Sequence, residues 1–500
     1  MFFVMTVSFD LFGISIHLTR KIRAVWTILL MLGSTLMFSQ KEMNSSSPNF
    51  IVILVDDQGW NGTSVQMKKD DASSMSDYHH TLNLEKLAVK GMRFSQAYST
   101  SPVCAPSRYS LQFGKSAARL NMIRVQMNTD HIDHTTELTI PKILKKVNPK
   151  YVTAHFGKWG MGISNSKMGI DFGVHPSVLG YDYSDGKTAN RDGGFQPPEW
   201  KFSTSEDPKK IYSLTQRSIA FIEQQAKSKN PFYLQLSHYA VHSNIQATNQ
   251  SLVKYEKKEK GKIHKNAYFA ALTEDLDDSV GILLNKLQEL GIANNTYIIY
   301  CSDNGAVPTL PPRRKYKNSY NYPLSRGKWD ATEGGIRIPF IVSGPNIKPN
   351  TFSDIPVSLT DILPTIADLS GYSLRGQMKT IDGGSIKKVL FNSGNGKVKR
   401  QDNGFYFHVP YRNYIAFGRP HSSIITGHYK LIKFHDNGEL NLFDLSSDIG
   451  EQNNLAEEFP KKAKKLESKM EDYFKKHKTV KWGKGIDWKF NSIEEINSFY

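Results

Sequence analysis

Asn49–Asp57 reads NFIVILVDD, and this stretch decides the fold. Ile51 to Val55 is an unbroken run of β-branched and leucine side chains. A strand apolar on both sides needs a cover on both sides, which is the condition inside a parallel sheet between helical layers. Four further runs have the same character: Tyr151–Phe156, Phe232–Leu236, Tyr297–Cys301 and Pro339–Ser343. Helical patterns at Leu82–Val89, Ile211–Ala226, Tyr268–Leu290 and Leu359–Leu369 lie between them. This alternation predicts an α/β chain with a doubly wound, mostly parallel sheet flanked by helices. Ligands of such sheets bind outside the carboxyl ends of the strands. No repeat of 20–50 residues is visible, which argues against a solenoid.

The texture changes after Asn392. Ser393–Asn403 is rich in Gly, Asn and Lys and reads as a linker. Short alternating runs follow at Gly404–Phe407, Tyr414–Phe417, His428–Phe434 and Leu440–Leu445, expected as an antiparallel sheet. Glu457–Lys476 reads as a helix with a solvated Lys/Glu face. The expected organisation is a catalytic domain at 48–395 and a smaller antiparallel-sheet-plus-helix domain at 396–500.

The chain has 500 residues, 39% hydrophobic and 22% charged, which excludes disordered, collagen-like and polytopic membrane classes. Lys and Arg number 64 against 47 Asp and Glu, a net charge of +17. That surplus favours polyanionic partners. Two cysteines exclude a disulfide framework. Near the N-terminus, Arg20, Lys21 and Arg23 precede an apolar run from Ala24 to Phe38, followed by polar residues. Basic flank, short apolar run and small residues make residues 1–40 a secretory signal, with residues 1–19 as an extension. About fifteen residues are short for a membrane span of ~20. The expected location is periplasmic or secreted, without stable membrane insertion once the signal is removed. A secretion signal and the absence of a basic helical motif count against a nucleic-acid partner.

The chemistry gathers at strand ends. The first strand runs into Asp56 and Asp57, and Tyr297–Cys301 runs into Asp303 and Asn304. Either pair alone reads as a turn or helix cap. Together on one sheet edge, three carboxylates and an amide suit a hard cation such as Ca²⁺ or Mg²⁺. Ser101–Arg108, SPVCAPSR, opens a helical pattern. A group at that helix start beside Arg108 meets a field that favours anions.

The pattern Cys-x-Pro-Ser-Arg resembles the type I, formylglycine-dependent sulfatases of the alkaline-phosphatase superfamily. Other blocks resemble the same family in order: NFIVILVDDQGW, TLNLEKLAVKGMRFSQAYSTSPVCAPSR, HFGKWGMG, LSHYAVHS, YCSDNGA, GKWDATEGGIRIPFIVSGP and LFDLSSDIGEQNNLAEE. The likeness spans about residues 49–460. It implies that Cys104 is oxidised by a formylglycine-generating maturation enzyme and that the hydrated aldehyde is the nucleophile. It implies one Ca²⁺, ahead of Mg²⁺, on Asp56, Asp57, Asp303 and Asn304, with modified Cys104 adding an oxygen. Arg108 would hold the hydrate, Lys158 and Lys328 would grip sulfate oxygens, and His242 would protonate the leaving group. Such a site splits ester cleavage in two: one hydroxyl attacks sulfur, the other expels sulfate. The implied activity is hydrolysis of sulfate esters. A basic exported hydrolase suits a sulfated polysaccharide or oligosaccharide, with an algal galactan such as carrageenan as the favoured substrate. A phosphonate or phosphate monoester hydrolase of the same superfamily and a non-catalytic glycan-binding relative are the alternatives.

One position departs from the pattern. The family's loop reads G-K-W-H, whereas this chain has Gly157, Lys158, Trp159 and Gly160. The missing histidine is associated with the base of the sulfate-expelling step. Strand geometry sets His155 on the face opposite Lys158, whereas His238 shares a face with His242 if the segment stays extended. His238 is therefore the expected replacement. His79, His80 and His264 lie in polar stretches and are expected at the surface. Lys254–Lys265 reads as a solvated segment with a secondary reading as a polyanion contact. Loops Gly162–Glu199 and Val307–Ser325 are expected to line the pocket, with Tyr181, Arg191, Arg313 and Arg314 as sugar or anion contacts.

Overall fold

The computed structural model describes residues 10–11, 14–15 and 47–483, apart from 126, 128, 166–169, 314 and 413–417. The chain divides into two units, 1–47 and 48–500. In the first, Asp10–Leu11 pairs antiparallel with Ile14–Ser15. The basic flank and apolar run of the expected signal lie outside the described residues, as do the strand expected at Tyr414–Phe417 and the side chain of Arg314.

An eight-stranded sheet forms the centre of the second unit. Its order is Thr351–Ser353, Gly91–Phe94, Phe340–Ser343, Thr296–Ser302, Asn49–Val55, Phe232–Ser237, Val152–Gly157 and Tyr183–Ser184. Asn49–Val55 is central and wholly buried. Phe50, Val52 and Leu54 face helices Cys104–Phe113, Ile140–Val147 and Ile362–Leu369. Ile51, Ile53 and Val55 face helices Leu82–Val89, Ile211–Ser228 and Ala267–Glu289. The period-2 alternation of an all-apolar strand thus feeds two cores at once.

Phe340–Ser343 departs from the parallel reading. It pairs antiparallel with both neighbours, Cys301 lying opposite Phe340 and Ile341 opposite Arg93. The chain leaves the carboxyl end of Thr296–Ser302, makes the loop and short helix Glu333–Ile336, and re-enters the sheet from that same end. A parallel strand would have needed a crossover back to the opposite edge.

A four-stranded antiparallel sheet follows: Phe405–Val409, His421–Thr426, Tyr429–Phe434 and Leu440–Asp444. The helix Pro460–Lys476 covers one face through Leu466, Met470 and Tyr473, with Tyr406 and Tyr473 stacked at 3.7 Å. Phe407, Ile425, Ile432 and Phe434 on the other face join the core of the main sheet.

The two sheets are also tied by a buried charge cluster. Lys430 Nζ donates to Glu333 Oε1 at 3.0 Å and lies 2.8 Å from Glu451 Oε1. Arg337 Nε lies 2.7 Å from Glu333 Oε2, and the Glu333 N–H donates to Glu451 Oε2 at 2.8 Å. Removing one member of such a cluster leaves a buried charge uncompensated, at a cost of ~3–5 kcal/mol. Lys430→Met is expected to lower the unfolding free energy in urea by about that amount. A variant within ~1 kcal/mol of the parent would show that the cluster does not hold the sheets together.

Candidate active site

Strand register builds the site. Thr296–Ser302 runs parallel to Asn49–Val55 with Ser302 opposite Val55, so Asp303 and Asp56 emerge at the same height. The Asp303 N–H donates to Val55 O at 3.0 Å, and the Asp57 N–H to Asp303 Oδ1 at 3.2 Å. On the other side Ser237 lies opposite Leu54, and the chain beyond it stays bonded to the first strand. The Asp56 N–H donates to Ala240 O at 2.8 Å, and the Val241 N–H to Asp56 O at 2.7 Å. His242 Nε2 is thereby set 3.7 Å from Asp57 Oδ2. Val152–Gly157 adds Lys158 from the next strand, whose N–H donates to Ser237 O at 2.8 Å. A Cβ on Gly157 would meet that same carbonyl at 2.0 Å, so only glycine lets Lys158 come this close.

Cys104 is the first residue of helix Cys104–Phe113 and is buried. Ser107 fastens the preceding loop: its Oγ accepts the Ser101 N–H and donates to Ser101 O. Arg108, one turn on from Cys104, aims its guanidinium at Asp303 Oδ2, with Nε and Nη2 each at 2.8 Å. Its Nη1 donates to Lys158 O. Lys158 Nζ donates to Asp56 Oδ2 at 2.5 Å, and Lys328 Nζ to Asp57 Oδ2 at 2.6 Å. Asn304 Nδ2 donates to Asp57 Oδ1 at 2.8 Å.

The electrostatics follow from burial against pairing. Burial opposes ionisation of Asp56, yet Lys158, His242 and Arg108 together hold its carboxyl far below the usual range. Asp303 is pushed up to about 7, by burial and then by the Asp56 charge beside it. Burial also raises the Cys104 thiol, against the pull of Lys158. A thiol so placed stays protonated and is a poor nucleophile. Burial, then the Lys328 charge, lowers His242 to about 4. Its Nδ1 lies 2.7 Å from Ser243 O and its Nε2 3.3 Å from Asn190 Nδ2, the pattern of a neutral ring protonated at Nδ1.

The donor set fits a divalent metal. Ligand atoms of Asp56, Cys104 and Asp303 lie within 4.8 Å of one another, all buried. Asp56 Oδ1 and Asn304 Oδ1 are buried without a hydrogen-bond partner among the described residues. Hard oxygens left over at the meeting point of three carboxylates are what a cation such as Ca²⁺ or Mg²⁺ would use.

Nine of the ten residues singled out in sequence form one contact network here: Asp56, Asp57, Cys104, Arg108, Lys158, His242, Asp303, Asn304 and Lys328. His238 is buried beside them in the chain. Its ring nitrogens have no partner among the described residues, and burial alone lowers it to about 3. His155 Nε2 lies 3.1 Å from Ser237 Oγ, its ring packed edge-on against Trp159. Tyr181, expected as a sugar contact, is a core residue whose hydroxyl bonds to Gln112 and Gln235. Arg191 and Arg313 are exposed. His79 and His264, expected at the surface, are buried with rings 4.7 Å apart, His264 held by Ser76 and the Tyr320 carbonyl. His80 is exposed as expected, and Lys254–Lys265 is solvated apart from Tyr255 and His264. Sequence reasoning missed Lys209, which is 1% exposed and donates from Nζ to Ser243 O at 3.1 Å. Burial lowers it to about 7. A Lys-Lys pair after Pro208 carries no signal of burial.

Gly160 is shaped for glycine. Its φ is +69°, and a Cβ there would lie 2.8 Å from Arg108 Cδ. That side chain is fixed by Asp303 and cannot give way freely. Placing a histidine there by Gly160→His is expected to cost ~1–3 kcal/mol of stability and to lower turnover, measured by urea unfolding and ester hydrolysis. Higher turnover at unchanged stability would show that the loop tolerates the family residue. In the companion variant His238→Ala, a base role for His238 predicts a burst of released alcohol followed by little turnover. Normal steady-state turnover would remove His238 from the reaction.

Known proteins are similar to this chain in sequence and in fold. A family model described as Sulfatase matches residues 48–372, and one described as N-sulphoglucosamine sulphohydrolase, C-terminal, matches residues 328–479. A sulfatase of Formosa agariphila is 26% identical over 88% of this chain and 90% of its own. The N-acetylgalactosamine-6-sulfatase of Mus musculus is 29% identical over 65% of this chain and 62% of its own. Among solved structures, Ps i-CgsB in complex with k-i-k-neocarrahexaose has a TM-score of 0.67 at 23% identity. It covers 86% of this chain and 93% of its own.

Proposed function

The chain belongs to the sulfatase family of sulfuric ester hydrolases, and from that premise we propose an exported enzyme acting on a sulfated polysaccharide or oligosaccharide. A sulfated algal galactan such as carrageenan is the favoured substrate. In this reading a leader at 1–40 is removed, residues 48–395 are catalytic and 396–500 form the C-terminal domain. A maturation enzyme converts Cys104 to formylglycine, and Asp56, Asp57, Asp303 and Asn304 hold one Ca²⁺, ahead of Mg²⁺.

The observation that carries the reading is the setting of Cys104. It starts a helix beside buried Arg108, Lys158 and Lys328, over three buried carboxylates. Formylglycine and the cation would supply the nucleophile and extra positive charge. The chain's own side chains do the rest. Lys158 and Lys328 offer ammonium groups to an anionic ester where water is excluded, so their charges act at short range in a low dielectric. Arg108 fixes the carboxylate frame. Lys328, a cation at Asp57, carries a proton that a leaving oxygen needs, and His242 lies beside it, acting as the acid only in its doubly protonated form. In this reading His238, neutral and with no ring-nitrogen partner among the described residues, accepts one on its unprotonated nitrogen. The substrate class rests on charge: without residues 1–40, which carry three basic groups and Asp10, +17 becomes +15. Such a surface attracts polyanions.

The test combines mass and rate. Protein produced with a formylglycine-generating enzyme is expected to show the lighter aldehyde form of the Cys104 peptide. It should release sulfate from 4-nitrocatechol sulfate far faster than phosphate from 4-nitrophenyl phosphate. Chelator and Cys104→Ala should each reduce this by about three orders of magnitude or more. Full turnover from an unmodified thiol, or faster phosphate release, would overturn the proposal.

A further inference from the structure

The segment that carries His242 also walls a second cavity. Ile245–Ala247 pairs in parallel with Phe202–Thr204, and the Ile245 N–H donates to Lys201 O at 2.9 Å. Beside this pair lies a cleft of about 500 Å³ whose lining includes Gln196, Trp200, Lys201, Phe202, Asn244 and Gln246. That volume falls within the ~300–1,000 Å³ range of small-molecule sites. None of these residues takes part in the catalytic cluster.

The lining is built. Asn244 is 5% exposed and its Nδ2 donates to the carbonyls of Gln196 and Pro198, which locks it into the cleft wall. Trp200 has φ +68°, a region bulky residues avoid, and its N–H donates to Ser243 Oγ at 3.0 Å. Gln246 is fixed through Oε1 by the Lys209 N–H at 2.9 Å. Lys201 is exposed and places a cation at the rim. Aromatic surface, side-chain amides and one ammonium match a pyranose with an anionic substituent: C–H face on the rings, hydroxyls on the amides, sulfate on the lysine.

Ser243 couples this cleft to the catalytic cluster. Its carbonyl lies 2.7 Å from His242 Nδ1 and accepts from Lys209 Nζ, while its hydroxyl accepts from Trp200. Asn244 follows directly in the chain. The cleft wall therefore begins two residues after His242, and Phe195, between lining residues Gly194 and Gln196, lies with its ring 5.9 Å from that of His242.

We propose that this cleft is a second sugar subsite, taking the residue next to the one whose sulfate is removed. Trp200 and Phe202 receive the ring, the Gln246 amide meets a hydroxyl, and Lys201 binds a further sulfate. The proposal rests on the sulfatase reading and makes the substrate an oligomer of at least two sugars. It is tested with a sulfated galactan tetrasaccharide and 4-nitrocatechol sulfate on the mature, metal-loaded enzyme. Trp200→Ala and Lys201→Glu are each expected to lower the tetrasaccharide-to-aryl ratio of kcat/KM about tenfold, through KM. They should weaken calorimetric binding of the tetrasaccharide by a similar factor. Unchanged ratio and unchanged binding in both variants would overturn the subsite, as would absence of tetrasaccharide binding to the parent. Failure to release sulfate from either compound, with binding still weakened by the variants, would instead sink the sulfatase reading and leave the subsite standing.

Discussion

Asp56, Asp57 and Asp303 bring three carboxylates together where water does not reach, because two adjacent parallel strands end at the same height. Such a concentration of charge is unstable unless every neighbour helps to neutralise it. The neighbours do so one by one. Lys158 closes on Asp56, Lys328 and Asn304 on Asp57, and Arg108 on Asp303. The four partners come from four separate segments: the end of the Val152–Gly157 strand, the loop before Phe340–Ser343, the end of the Thr296–Ser302 strand and the Cys104 helix. The pairing that neutralises the carboxylates therefore also pins those segments together and fixes Cys104 against them. A divalent cation fits the same logic, since it meets oxygens that the side-chain donors leave over.

The site is tied to the C-terminal sheet by the chain that follows Lys328. Five residues on, Glu333 is held by Arg337 and by Lys430 of the small sheet. The Ala331 N–H donates to His421 Nε2, and Ser423 Oγ donates to Ala331 O. The loop carrying Lys328 is thus clamped on its far side by a second buried polar network. Cutting that network acts on the site through loop position rather than through contact with substrate.

Most of this was legible because local pattern and tertiary environment agree. An all-apolar strand must be covered on both faces, and acidic residues directly after it must sit at the sheet's carboxyl edge, so Asp56 and Asp303 could be read together. The family likeness then added Arg108, Lys158, His242 and Lys328. What escaped depended on partners distant in sequence. Phe340–Ser343 has the same apolar run as its parallel neighbours, and only the path of the preceding loop reverses it. His421–Thr426, HSSIIT, does not read as a strand because its buried serines and histidine are satisfied by other segments: Ser422 by His408 and His435, Ser423 and His421 by Ala331. His79, His264 and Tyr181 were misplaced for the same reason. Polar neighbours in the chain say little about burial when the covering residues, such as Phe269 and Tyr320, lie far along it. Gly160 was legible as a departure, but its meaning needed coordinates: the backbone is left-handed and Arg108 fills the space a side chain would take.

The central claim is that the carboxylate cluster is a single divalent-cation site on which the catalytic arrangement is assembled. Elemental analysis of purified protein, alongside Asp57→Ala and Asp303→Ala, tests it most directly. The account predicts about one Ca²⁺ or Mg²⁺ per folded parent chain and loss of that ion in both variants. A folded parent chain that takes up no divalent cation, or variants that keep it in full, would contradict the account.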